Sequence, residues 1–259
     1  MELHRHCVTK PWGRTDLPSA FAAPAGQRVG EVWYETPDAA PLPLLVKWLF
    51  TSEKLSIQVH PSDAEAQAAG FASGKEECWY IVDAEPGAVL GIGTTRPLNN
   101  EELRTASLSG EIEQLMDWKP VKAGDYFYIP AGIVHAIGAG ITLVEVQQYA
   151  DITYRLYDYG RPRELHLDDG VSVSKAAPYI DPRSGRVAAN AQLVDGPYFS
   201  LWMVADAAGL AEVPVDVVRW VVPLSGEGVG SCRVMDAWEK LSFDGRMLVA
   251  SVSNQANSL

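Results

Sequence analysis

The chain has 259 residues, 47% of them hydrophobic, against a usual domain of about 150, so it holds one large domain or two small ones around a packed core. Disorder and fibrous architecture are excluded. Its formal net charge is −12, from 21 Lys+Arg and 33 Asp+Glu, so the overall field repels nucleic acid and anionic membrane surfaces. An anionic ligand therefore needs a local basic cluster.

Residues 1–14 carry no apolar leader core, and no run approaches the roughly 18 apolar residues of a membrane span, so a cytoplasmic location with no membrane partner is expected. Cys7, Cys78 and Cys232 are odd in number and far apart, which reads as reduced thiols and not as a disulfide framework or a Cys-based zinc site. Short apolar and aromatic runs broken by 22 Gly and 17 Pro favour strands over long helices, so the chain reads as mainly β. In chain order, LPLLVKWLF and LSIQVHP are strands separated by the polar TSEK turn, and Ser62 and Asp63 cap a short helix through Ala69. Next, ECWYIV and AVLGIG are strands, and 99–118 reads as an insertion of two short helices. Strand texture resumes in DYFYIP, HAIG and ITLVEVQQY.

From about Ala176 to Asn190 the composition turns to Pro, Arg, Ser, Gly and Ala, the best candidate linker. This divides the chain into 1–180 and a smaller β domain over 181–259. That tail contains YFSLWMV, VVRWVVPL and RMLVASVS but no His, so it is expected to support and not to catalyse.

In LSIQVHP, Gln58 and His60 are two apart and share one face of a strand. Glu77 opens ECWYIV with Lys75 two residues before it, and GDYFYIPAGIVHAI places His135 after a Pro-Ala-Gly turn. A lone His is usually a hydrogen-bonded structural residue and a lone Glu at a strand start is usually solvated. Together, however, Gln58, His60, Glu77 and His135 offer two imidazoles, a carboxylate and an amide oxygen, a donor set for Zn²⁺, Fe²⁺ or Mn²⁺ with an open position.

The spacing G-x5-P-x-G-x2-H, from Gly124 to His135, resembles the second signature of the cupin jelly rolls, with Ala139 where an Asn usually follows. With Lys10-Pro11-Trp12-Gly13, Gly30-Glu31-Val32-Trp33, LSIQVHP, GKEECWYIVD and LVEVQQYADITYRLYDYG in order, the chain resembles the type I mannose-6-phosphate isomerase family in its short bacterial form. The resemblance runs from Lys10 to about His166. Glu76 replaces the proline of the Lys-Pro-Glu run, and Ile137 stands where large members have Tyr. The resemblance implies a cupin jelly-roll barrel followed by a smaller cupin-like β domain. It implies one Zn²⁺ on Gln58, His60, Glu77 and His135, and a sugar-phosphate substrate.

It also implies that Lys75, Lys47, Ser56 and Arg155 contact substrate and that Glu145 is the nearby acid, our expected proton-transfer base. Arg155 and Lys75 would stabilise negative charge on substrate oxygens. Their bland readings are a salt bridge from Arg155 to Asp151 or Asp158, a snorkelling surface Lys47, and a Glu145 that merely orients a ligand. Arg161, Arg163 and His166 either close over the substrate or form a solvated bridge to the tail. Two other readings remain: a non-haem iron cupin oxidoreductase, and a non-catalytic sugar-phosphate-binding cupin.

Overall fold

Side chains alternate between the two faces of a strand, so a strand buried at every position must be covered on both sides. Leu44–Phe50 is buried throughout, as is all of Ile141–Gln148 except Thr142. The computed structural model, which describes residues 1–38, 40–242 and 245–253, shows what covers them.

These two strands pair antiparallel in a seven-stranded sheet. Its spatial order is His4–Arg14, Val29–Glu35, Leu44–Phe50, Ile141–Gln148, Glu77–Ala84, Asp125–Ile129 and Gly185–Arg186. A five-stranded sheet faces it, in the order Tyr154–Tyr157, Ile57–Val59, His135–Ile137, Val89–Thr94 and Met116–Pro120. Leu49, Trp79, Ile81 and Leu143 of the first sheet pack with Leu90, Ile92 and Ile137 of the second in one core between the sheets. A third sheet, Ala191–Asp195, Phe199–Val204, Met247–Val252, Arg219–Pro223 and Arg233–Met235, covers the opposite face of the first. There Val46, Trp48, Tyr80, Val144 and Val146 share one core with Phe199, Leu201, Trp220 and Leu248.

The turn between Leu44–Phe50 and Ile57–Val59 carries the chain from one sheet to the facing one and closes no hairpin. Helices Asn100–Ser109 and Ile112–Leu115 occupy the expected insertion. Its last residues instead open the strand Met116–Pro120, which pairs with Val89–Thr94. Asp63–Ala68 is a helix with a capping box between Ser62 and Glu65. The 176–190 segment is pinned to the barrel: Pro178 bridges Gly93, and Gly185–Arg186 pairs with Asp125 and Tyr126. Its composition marks irregular backbone, not freedom. Beyond Arg163, the stretch read as a bridge contains a further helix, Leu167–Val173, which buries Gly170 and Val171.

Among the described residues no helix is long and apolar enough to cross a membrane.

Candidate active site

Ile57–Val59 and His135–Ile137 are neighbours in the second sheet, and their register sets Gln58 opposite His135. His60 follows the first of these strands. Glu77 enters from the facing sheet, and the ligand atoms of His60, Glu77 and His135 all lie within 4.8 Å of one another. The turn that aims His135 depends on Gly132, whose φ of 87° favours glycine and whose N–H donates to the His60 carbonyl at 2.8 Å.

Both imidazoles are fixed from behind. His60 Nδ1 lies 2.8 Å from the Ile152 carbonyl and His135 Nδ1 lies 2.8 Å from the Ile133 carbonyl, so each Nδ1 carries the proton and each Nε2 lone pair faces Glu77. Glu77 places one oxygen toward each ring, 3.6 Å from His60 Nε2 and 3.4 Å from His135 Nε2. Fully buried, His60 Nε2 and Glu77 Oε1 have no hydrogen-bond partner, an arrangement a divalent cation satisfies. Burial lowers His135 to about 4 and takes His60 well below the usual histidine range, leaving both rings neutral, as metal ligation requires. Burial, and then the charge of Glu145, raise Glu77 to about 7 against the pull of Lys75.

Gln58 adjoins this cluster, with its amide nitrogen 3.3 Å from His135 Nε2 and its oxygen 3.1 Å from Ser56 Oγ. A hydroxyl both donates and accepts, so turning the amide over keeps the Ser56 bond and presents Oε1 to the cluster. The residues fit the expected metal.

Beside the cluster lies a buried file of alternating charge. Lys75 Nζ is 2.7 Å from Glu77 Oε2 and 3.7 Å from Glu145 Oε1, while Lys47 Nζ is 3.3 Å from that same Glu145 oxygen. Cross-strand register dictates this, since Glu145 pairs with Lys47 on one side and Trp79 on the other. Trp79 Nε1 donates to Glu145 Oε2 at 2.9 Å, and Lys47 stands over the Trp33 ring, 4.5 Å from its centroid. Lys47 is only 4% exposed, so it is no snorkelling surface lysine. Burial raises the Glu145 carboxyl, but Lys75, Lys47 and Trp79 outweigh it and hold the group down to about 2.

The file opens into a cavity of about 330 Å³ beside Ser56 and Gln58, where the five cations Lys10, Lys47, Lys75, Arg155 and Arg163 outnumber the three carboxylates Glu31, Glu145 and Asp151, and Lys10 pairs with Glu31 at 3.3 Å. This is the local basic cluster that a chain of charge −12 requires. Arg155 pairs its backbone with Gln58 and donates Nε–H to the Glu164 carbonyl at 3.0 Å. Neither salt bridge of the bland reading of Arg155 occurs among the described residues: Asp158 is held by Arg161 and Arg163 instead. Arg161 also meets Glu53 at 2.9 Å, and His166 Nδ1 accepts the Arg155 N–H at 3.1 Å. Lys10 lines the cavity with no role expected from the sequence, and Arg163, expected either to close over the substrate or to bridge to the tail, lines it too. The Lys-Pro-Trp-Gly run was the available signal for Lys10.

A jelly roll that gathers two histidines and a glutamate at its centre, with their proton-bearing nitrogens tied back to carbonyls, defines a metal-binding cupin. No model of a known protein family matches the chain. A mannose-6-phosphate isomerase of Streptococcus mutans is 36% identical over 243 residues, 82% of this chain and 75% of that protein. The mannose-6-phosphate isomerase ManA of Bacillus subtilis is 46% identical over 138 residues, 51% of this chain and 44% of that protein. The crystal structure of mannose 6-phosphate isomerase from Bacillus subtilis aligns with a TM-score of 0.76 at 26% identity, over 96% of this chain and 98% of that one. The chain belongs to the mannose-6-phosphate isomerase family.

Proposed function

We propose that this protein interconverts mannose 6-phosphate and fructose 6-phosphate with one Zn²⁺ held by His60, Glu77, His135 and Gln58. The observation that carries the reading is the juxtaposition of a buried metal-type donor cluster with a cationic cavity large enough for a sugar phosphate. The relatives' names point to the same substrate.

The isomerisation moves one proton from C2 to C1 and one from O2 to O1 through an enediol. The metal supplies a Lewis acid that stabilises the negative charge developing on the sugar oxygens. Arg155, with Lys10 and Arg163, offers donors to the phosphate dianion, and a guanidinium binds it through two parallel hydrogen bonds. Lys75 and Lys47 present ammonium groups to the substrate's reacting oxygens, and Ser56 orients Gln58.

Glu145 is the carboxylate placed to carry the proton between C2 and C1. Clasped by two lysines, it is an ion and therefore a weak base. A lysine that turns to a substrate oxygen releases it, so binding raises its basicity. A cytosolic setting is proposed on separate ground: all three cysteines stand unpaired.

The test is fructose 6-phosphate formation from mannose 6-phosphate by purified protein, before chelation, after chelation and after zinc is restored, with His135→Ala as control. Chelator-sensitive turnover recovered by zinc, and at least about 10³-fold lower in the variant, is expected, because the metal contributes several kcal/mol. Stoichiometric zinc without turnover of this substrate would reject the isomerase reading.

A further inference from the structure

Next to Glu145 the same strand ends in two glutamines that the mechanism does not use. Strand alternation sends Gln147 to the interior face, where its register partner is Glu77, and Gln148 to the opposite face. Both are buried.

The Gln147 amide nitrogen is spent on backbone, while its buried Oε1 has no hydrogen-bond partner among the described residues. Nε2 donates to the Gln148 carbonyl at 2.7 Å and to the Ala150 carbonyl at 2.6 Å, which cinches the turn leaving the strand. Because both facing atoms are carbonyl oxygens, the amide has only this orientation. Two residues beyond Ala150, the turn delivers the Ile152 carbonyl, the group 2.8 Å from His60 Nδ1. Holding that carbonyl in place keeps the His60 proton on Nδ1 and its Nε2 lone pair on the metal position.

Gln148 performs the matching task on the other side. Its backbone N–H donates to the Glu76 carbonyl at 3.1 Å, and its Oε1 accepts the Glu76 N–H at 2.9 Å. Its Nε2 donates at 3.0 Å to Asp63 Oδ1, which also accepts the Gly74 N–H at 2.8 Å. The segment bearing Lys75 and Glu77 is thereby clamped at its centre. The clamp needs the Glu76 N–H, which a proline at this position would not have.

We infer that Gln147 and Gln148 form one positioning unit for the metal centre, Gln147 setting the imidazole of His60 and Gln148 setting the carboxylate of Glu77. This rests on the reading of His60, Glu77 and His135 as metal ligands. Neither glutamine is among the residues lining the cavity, so the unit governs metal affinity and not the chemistry of the loaded site.

The experiment measures zinc dissociation constants by chelator competition for full-length wild type, Gln147→Met, Gln148→Met and a control on the same strand, Thr142→Val. Thermal unfolding of each metal-free chain and turnover per bound zinc are measured alongside. Methionine keeps the length of the side chain and removes the amide. Each glutamine variant is expected to bind zinc about 10- to 100-fold more weakly, with turnover per bound zinc and KM near the wild-type values and Thr142→Val unchanged in affinity. Zinc affinity within about twofold of wild type in folded variants, with only the unfolding temperature lowered, overturns the inference and leaves the glutamines a structural role. Should Gln147→Met not fold, Gln148→Met decides the proposal by the same criterion, because it leaves the turn bonds of Gln147 intact. If Gln148→Met does not fold either, the pair is required for the fold itself and the inference is overturned. Wild type that binds no zinc fails the underlying metal reading instead, a result distinct from any of these.

Discussion

The two faces of the seven-stranded sheet are built from the same strands and do opposite things. Along Ile141–Gln148, Val144 and Val146 point toward the third sheet and join an apolar core, while Glu145 and Gln147 point inward to charge and metal-type donors. Likewise Trp48 faces the third sheet and Lys47 the cavity, and Cys78 faces the third sheet while Glu77 faces the histidines. Buried charge is costly unless paired, and the inward face balances two lysines against two glutamates within 3.7 Å. The outward face supplies the hydrophobic burial that holds this polar interior together. Over Val144–Gln147 stability and chemistry thus occupy alternate residues of one strand, while Leu143, on the inward face, still packs against the second sheet.

Substitutions on each face break or sharpen this division. On the inward face, Glu145→Gln removes the proposed proton carrier and is expected to lower kcat by about 10²- to 10⁴-fold, with zinc content retained. A loss under tenfold in steady-state turnover would take Glu145 out of proton transfer. On the outward side, Phe199→Ala empties a fully buried site in the shared core. It should cost about 3–5 kcal/mol in denaturant unfolding while leaving kcat unchanged well below the melting temperature. A matching fall in kcat would show that the faces are not separable.

At the cavity wall, Arg155→Lys keeps the charge but loses the paired donors. KM should rise by about 10- to 100-fold, from the roughly 1.5–3 kcal/mol of a hydrogen bond to a charged group. An unchanged KM assigns the phosphate to other cations. The smallest effect belongs to the segment between barrel and third sheet, where Arg183 lies 3.9 Å from the Tyr128 ring centroid and pairs with Asp181. Burial raises the Asp181 carboxyl, but hydrogen bonds from Arg183 and Tyr179 outweigh it and hold the group near 2. Its folded value lies below its unfolded one, so it contributes stability above the ordinary carboxylate range, and this is lost as pH falls toward 2. Asp181→Asn should flatten the melting temperature against pH over that acid window and nowhere else.

Much of the site was legible because its motifs are local. Gln58 and His60 share a face by strand period alone, and the Pro-Ala-Gly turn announces His135. The strands of the tail were legible in the same way, through runs such as Phe199–Val204. Where apolar alternation failed as a guide, a charged residue was buried: Lys47 reads equally as a surface lysine until Glu145 is found beside it.

By itself, then, the sequence determined the strand-rich architecture, the metal-type donor set and the family resemblance, because each is written in spacing over a few residues. Only the tertiary structure decided that Glu77 reaches the two histidines from the facing sheet, and that Lys10 and Arg163 share one cavity. It also decided that Glu145 rests as an ion between two lysines. These are contacts between strands distant in the chain, set by sheet register and by the cost of burying charge without a partner, and no local pattern encodes them.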